Sequence, residues 1–335
     1  MESHDLLLVT GATGLVGSHV AWRARQIGLL TRALVRPGSA TALLDQWGVE
    51  KIAGELNDVD SLKRAAAGAT LVVHCAAKVG DRGSVEDYRQ VNVAGLENLL
   101  KAVEEAGALR RLVHVSSLDV YEDRDHHGSD ETMGLGANGT DAYTITKIEA
   151  ERLVLQHVRA RNLPATIVRP GLVYGPRDRA TIPRLLERLK AGHVKYFGSG
   201  EQAMHNTFVG NLADAIFEAL ERPQAIGEVY NVTDGELVSK RDFISTVATL
   251  AGYEVPRLAV PLSFARLLTA VSETAYRLLG RPEAPQLSNA RFNMLGRNLD
   301  FSIEKARREL GYNPRVPFRD AMQETIDWFR AEGKL

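Results

Sequence analysis

From residue 6 onward the chain alternates short aliphatic and β-branched runs with longer stretches whose apolar positions recur every three or four residues. The short runs at 6–10, 31–35, 49–53, 71–75, 111–116 and 165–169 read as strands. The segments near 14–27, 58–67, 86–106 and 141–161 read as helices between them. Regular alternation of this kind predicts an α/β fold: a doubly wound parallel sheet with helices on both faces. Ligands on such sheets sit at the carboxyl ends of the strands. After Pro170 the pattern loosens. Helices are expected near 180–191, 209–221, 239–252, 262–279 and 317–332, with one more strand at 227–232. The pattern divides the chain into residues 1–170 plus 209–232, a first domain, and 171–208 plus 233–335, a smaller, mainly C-terminal lobe for substrate.

The first strand runs into Thr10-Gly11-Ala12-Thr13-Gly14-Leu15-Val16-Gly17, which opens a helix. Glycine permits a tight turn and close backbone approach, and a helix N-terminus offers free N–H groups and a positive dipole end. Placed on the first strand–helix junction, this turn predicts a Rossmann-type nicotinamide dinucleotide site. The second strand ends at Arg36, where an NAD site has an acidic residue for the ribose 2′-hydroxyl. A guanidinium there suits the 2′-phosphate of NADP, with Arg32 as an assistant. NADP is therefore the expected cofactor, and NAD remains open.

Tyr143 and Lys147 lie one helical turn apart, so the phenol and the ammonium share a face. Their helix follows the strand that ends at Ser116-Ser117, so all three polar groups approach the same sheet edge. A nearby cation favours phenolate, and the pairing predicts a lowered tyrosine pKa suited to proton exchange with a secondary alcohol or ketone. Ser117 can donate to the substrate oxygen, and Lys147 can also hold the nicotinamide ribose.

Composition narrows the field. The chain has 335 residues, is 44% hydrophobic and 25% charged, and carries a net charge of −1. Nothing there favours nucleic acid or an anionic membrane surface. The single cysteine, Cys75, rules out an intrachain disulfide and fits a reducing compartment, so a cytoplasmic location is expected. The first apolar run is too short for a signal peptide, and the apolar stretch 262–279 is interrupted by Arg266, Glu273 and Arg277, so no transmembrane segment is expected. Asp123-Arg124-Asp125-His126-His127 lacks the ligand spacing of a metal site, and no metal is expected. His74 and His114 read as packed or hydrogen-bonded strand residues. His205 reads as core, surface or substrate-facing.

Together these segments resemble the extended short-chain dehydrogenase/reductase family over nearly the whole chain. TGATGLVGSHV is similar to its cofactor turn (Gly11, Thr13, Gly14, Leu15, Val16, Gly17), YTITK to its catalytic pair, and HVSSLDVY to the strand bearing its catalytic serine, which favours Ser117 over Ser116. The resemblance implies a structural and proton-relay role for Asn92 in VNVAGLENLLKA. It implies cofactor contacts from Glu55 and Leu56 in Gly54-Glu55-Leu56, from Ala76, Ala77 and Lys78 in CAAK, and from Pro170 and Val173 in IVRPGLVYGPRD. It also implies a homodimer through the 86–106 and 141–161 helices. NTFVGNLADAIFEAL, EVYNVTDGE and the tail from PQLSNARF resemble the branch of 3β-hydroxysteroid dehydrogenases, sterol-carboxylate dehydrogenases and 2-alkyl-3-oxoalkanoate reductases. The expectation is a reductase or dehydrogenase of an apolar, lipid-like ketone or alcohol. The alternative is a nucleotide-sugar epimerase or dehydratase with tightly held cofactor. That branch carries Arg-Asp or Arg-Ser where this chain has His205-Asn206, although Arg177 or Arg241 could stand in. Leu262, Phe264, Leu267, Leu268 and Val271 are either ordinary core or a wall for an apolar substrate.

Overall fold

In the computed structural model, residues 1–2, 4–80, 83–136, 139, 141–278 and 288–335 are described. Seven parallel strands form the central sheet in the order Val229–Val232, Ala165–Pro170, Arg111–Val115, Leu71–His74, Leu6–Thr10, Leu30–Val35, Glu50–Ala53. This is the doubly wound arrangement, and its strand order reverses between Leu6–Thr10 and Leu71–His74.

Alternation along the strands explains the two covered faces. Leu7 and Val9 point to one side with Val73, Val113 and Tyr230, under the helices Leu15–Gln26 and Val209–Glu221. Ile303, Ala306, Leu310 and Tyr312 join that cluster, so this late segment packs with the sheet. Leu8 points to the other side with Val72, Leu112 and Ile167, under helices Val59–Ala66, Gly95–Ala106 and Ala142–Arg161. A third cluster gathers Tyr174, Ile182, Leu186, Phe243, Val247, Phe318, Met322 and Phe329.

The expected helix at 86–106 is three pieces: Val85–Arg89, a π-helical turn Gln90–Ala94, and Gly95–Ala106. Segments with no clear periodicity hold short helices, Ala42–Gln46, Asn289–Gly296 and Glu304–Leu310, and two- or three-residue strands. The helix Leu262–Leu278 departs from ordinary core. Ala265 and Thr269 are buried, but Leu262, Phe264, Leu267, Leu268 and Val271 are between 37% and 59% exposed. Residue 279, expected to end this helix, lies outside the described residues. Among the described residues, no helix is long and apolar enough to cross a membrane.

Candidate functional site

The glycine turn lies at the strand-order reversal. Gly11 has φ +72°, and a Cβ there would lie 2.7 Å from the Ala76 nitrogen. A Cβ on Gly17 would lie 2.2 Å from the Gly11 carbonyl oxygen. Both glycines are required by close backbone approach, which draws the turn against the end of the neighbouring strand. Gly14 caps the helix Leu15–Gln26 without a side-chain bond and is exposed, so the first turn keeps its N–H groups available. Thr13, Leu15 and Val16 are partly buried around it. These features fit a dinucleotide phosphate.

The other expected cofactor contacts line the same edge. Ala76, Ala77 and Lys78 follow the strand Leu71–His74 and are partly buried. Arg36 is exposed immediately past Leu30–Val35, and among the described residues no hydrogen bond or ion pair engages its guanidinium. Arg32 cannot assist it. Its guanidinium donates to Glu50, to the Ala65 carbonyl and to the Ala67 carbonyl, so it closes the C-terminal end of the Val59–Ala66 helix. Glu55 is exposed, while Leu56 is buried against Gly95 and its carbonyl accepts from Asn98. Pro170 is buried at the end of its strand, and Val173 is partly buried in Leu172–Tyr174.

The proton-transfer group assembles where the helix Ala142–Arg161 meets the sheet. Asp141 caps this helix by accepting from the Thr144 N–H at 3.0 Å, which sets Tyr143 in the first turn. Ser117, 6% exposed, caps the 3-10 turn Leu118–Val120, and its hydroxyl interacts with the Tyr143 phenol. The Lys147 ammonium is 5.9 Å from the centre of the Tyr143 ring and donates to the Val115 carbonyl at 2.7 Å.

The electrostatics depart from the expected lowering of the tyrosine pKa. Burial raises the Tyr143 phenol above its usual value, and the Asp119 and Asp141 carboxylates reinforce this; the Ser117 hydroxyl opposes it. Lys147 is itself desolvated, and burial pulls its ammonium down to about 8. The same burial, with the Lys147 charge, keeps the stacked rings of His74 and His114 neutral, His74 down to about 3. His74 is hydrogen-bonded to Thr10 Oγ1 at 2.7 Å. Burial lifts the Cys75 thiol to about 12.

Asn92 acts as a clamp. Its Oδ1 accepts from the Lys78 N–H at 2.7 Å, and its Nδ2 donates to the Lys78 carbonyl and to Thr146 Oγ1. Thr146 in turn donates to the Ala142 and Tyr143 carbonyls. One amide in a π-helical turn thus ties the cofactor-side strand end to the helix bearing Tyr143.

Two groups escaped the sequence reading. Arg169 and Glu151 form a buried bidentate ion pair, and Arg169 also donates to the Tyr121 hydroxyl at 2.8 Å. Asp119 accepts from the Ser117 hydroxyl at 2.9 Å. An acidic residue two positions past a strand-end serine was a local signal that could have drawn attention to it. The 123–127 loop is engaged by the segment after 297: Asp125 accepts from the Asn298 N–H, and His126 bonds Ser129 and the Glu122 carbonyl.

Of the two arginines considered for a substrate diphosphate, Arg241 is engaged, whereas the buried Nη2 of Arg177 has no hydrogen-bond partner among the described residues. Arg241 stacks on Tyr196 and bonds Ser199 and Glu201. Arg177, strained at φ +71°, donates to Ser18 and lies over the Trp47 ring, beside the first helix. Asn206 is buried and donates to Asp234, which also accepts from Tyr174, Asn211 and the Phe208 N–H. That position is a structural hub.

Comparison with known proteins gives relatives that span nearly the whole chain. A family model described as the NAD dependent epimerase/dehydratase family matches residues 7–233. The chain is 32% identical over 327 residues to 4-hydroxy-2-methyl-3-oxo-4-farnesyl-3,4-dihydroquinoline-1-oxide ketoreductase of Stigmatella aurantiaca, covering 97% of this chain and 96% of that one. It is 32% identical over 330 residues to 2-alkyl-3-oxoalkanoate reductase of Stenotrophomonas maltophilia, covering 95% and 97%. Among solved structures, gox2253 superposes with a TM-score of 0.86 at 33% identity, covering 99% of each chain. UDP-glucuronic acid 4-epimerase from Bacillus cereus, in complex with NAD, gives 0.76 at 22% identity, covering 98% of this chain and 99% of that one, a likeness of fold.

Proposed function

Because this chain belongs to the NAD dependent epimerase/dehydratase family, the extended short-chain dehydrogenases/reductases, we propose that it is an NADP-preferring oxidoreductase that interconverts a secondary alcohol and a ketone on an apolar, lipid-like substrate. The observation that carries this reading is the meeting of Ser117, Tyr143 and Lys147 at the strand ends, on the same sheet edge as the glycine turn. The nicotinamide cofactor supplies the hydride when bound. Gly11, Thr13, Gly14, Leu15, Val16 and Gly17 would hold its phosphates, Arg36 its 2′-phosphate, and Leu56, Ala76, Ala77, Lys78, Pro170 and Val173 its remaining length, with Glu55 at the adenine end.

The residues divide the work. Ser117 donates to the substrate oxygen. Tyr143, kept protonated by burial and by two neighbouring carboxylates, gives its proton to that oxygen as the ketone is reduced. Lys147 is anchored by the Val115 carbonyl and would hold the nicotinamide ribose of a bound cofactor. Asn92 holds the cofactor-side strand end against the Tyr143 helix and provides the polar anchor of a proton relay. The names of the two ketone-reducing relatives favour an apolar ketone, as does the exposed apolar side of Leu262–Leu278. The engagement of Arg241 by Ser199 and Glu201 and the buried Asn206 weigh against a nucleotide sugar. Residues 171–208 plus 233–335, apart from the sheet-packed 303–312, would form the substrate lobe, and the 86–106 and 141–161 helices a homodimer interface, in a cytoplasmic enzyme.

Tyr143→Phe tests the proposal. It should lose most NADPH oxidation with long-chain ketones, on the order of 10²-fold or more, while NADPH binding, read by fluorescence titration, is retained. An unchanged rate would remove Tyr143 from the mechanism.

A further inference from the structure

Beyond its charge acting on Tyr143, Asp119 makes contacts that the proposed redox step leaves unused. Its N–H donates to Ser117 Oγ at 3.2 Å, and the Ser117 hydroxyl donates back to its Oδ2 at 2.9 Å. Its Oδ1 lies 3.8 Å from His205 Nε2, beyond hydrogen-bond range. Leu118 and Val120 on either side are buried, whereas the Asp119 side chain is 52% exposed. Burial works to raise this carboxyl, but His205 and Ser117 outweigh it, so the group stays ionised. An accessible carboxylate is thus held beside the buried serine that meets the substrate oxygen.

The supply of donors around this carboxylate is limited. Ser117 has one hydroxyl proton. When that proton turns to a substrate carbonyl, Asp119 Oδ2 loses its side-chain donor yet stays next to the reacting centre. A hydroxyl on the carbon adjacent to the carbonyl can replace the lost bond. A plain methyl or methylene there leaves the carboxylate to water, and a carboxylate there meets a like charge.

The geometry points to Asp119 as a specificity-determining residue that selects neutral ketones with a hydrogen-bond donor on the adjacent carbon and rejects anionic keto acids. This inference rests on the ketone-reductase reading above. Because Asp119 is half exposed and water competes, the preference should be on the order of tenfold.

A matched series differing at one carbon tests it: 1-hydroxy-2-octanone, 2-octanone and 2-oxooctanoate, with NADPH consumption giving kcat/KM for wild type, Asp119→Asn and Asp119→Ala. Thermal unfolding verifies that each variant is folded. Intrinsic carbonyl reactivity cancels when substrate ratios are compared between variants. Wild type should favour the hydroxyketone and turn over the keto acid worst. Asp119→Ala should flatten the hydroxyketone preference. Asp119→Asn, uncharged but still an acceptor, should retain that preference while relieving the rejection of 2-oxooctanoate. Ratios unchanged in both variants, or a wild type that prefers the keto acid, would overturn the inference and leave the reductase reading standing. A wild type that consumes NADPH with none of the three defeats the reductase reading itself, and the inference with it.

Discussion

Replacing Glu151 by alanine strands a buried cation. Glu151 is fully buried and Arg169 is 4% exposed. The Arg169 Nε donates to Glu151 at 2.9 Å and Nη2 at 2.6 Å, while Nη1 serves the Tyr121 hydroxyl. Without the carboxylate, two donors of a guanidinium that cannot shed its proton have no partner and no route to water. Breaking a buried pair from one side costs about 3–5 kcal/mol. Removing both charges together is different: Glu151→Leu with Arg169→Met keeps the volume, and such replacements are often neutral or stabilising. The double variant should therefore be more stable than either single one, a coupling of several kcal/mol. Urea unfolding followed by tryptophan fluorescence and circular dichroism, with coincident transitions, measures all four corners of the cycle. A Glu151→Ala cost below about 1 kcal/mol, the range of an exposed pair, would refute the claim that this ion pair is sealed from solvent.

Arg36→Asp should convert NADPH preference into NADH preference by at least about tenfold, since it exchanges a charged donor for the 2′-phosphate with an acceptor for the 2′-hydroxyl; equal affinities in both proteins would strip Arg36 of that role. His19 and His74 are both held at about 3 by burial, below the 6.5 usual for histidine. Their folded pKa is depressed, so the stability they contribute is complete above pH 6.5 and is lost as pH falls toward 3, by up to about 1.4 kcal/mol per pH unit for each. Urea midpoints that stay level from pH 7 to 5 would contradict this. Lys147 is also depressed, to about 8, so at pH 7 the folded protein bears the whole cost of burying its charge, about 3 kcal/mol. Allowing for the donor lost at the Val115 carbonyl, Lys147→Met should stabilise by about 1–2 kcal/mol while abolishing turnover; a comparable loss of stability would show the ammonium to be a structural asset.

What the sequence disclosed was whatever lies close along the chain. Gly11, Gly14 and Gly17 open one helix, Tyr143 and Lys147 occupy one turn, and Arg36 follows one strand end, so spacing together with placement on the strand–helix pattern made them candidates. Arg32 shows where such reading stops. It sits four residues before Arg36 with the same charge, but Glu50 and the carbonyls of Ala65 and Ala67 claim it from elements further along. The Arg169–Glu151 pair, 18 residues apart, and the Asn92 link to Thr146, 54 apart, exist only after the helices are laid on the sheet. The direction of the Tyr143 shift was hidden for a related reason: Lys147 is visible four residues away, but desolvation and the charge of Asp119 come from the fold. The two- and three-residue strands beyond Pro170 are shorter than any period-2 pattern can reveal.

The helix Ala142–Arg161 brings the two halves of the site together. Tyr143, Lys147 and Glu151 recur every four residues, so they form one stripe along its sheet-facing side. An apolar stripe would be expected there, since a helix on a sheet gains its stability by burying one. Beside its apolar contacts through Ala150 and Val154, this helix turns inward a phenol, an ammonium and a carboxylate, and each is accounted for separately. The phenol meets Ser117, the ammonium meets the Val115 carbonyl, and the carboxylate meets Arg169. Glu151 and Arg169 fix the helix to the strand that ends at Pro170, and Thr146 with Asn92 fixes its first turn to Lys78. Those two anchors flank Lys147, the one charged member of the stripe without an ion pair among the described residues. Its pKa, depressed to about 8 by desolvation, marks a charge buried with one carbonyl for a partner and no counter-ion, which leaves its remaining donors for a ligand.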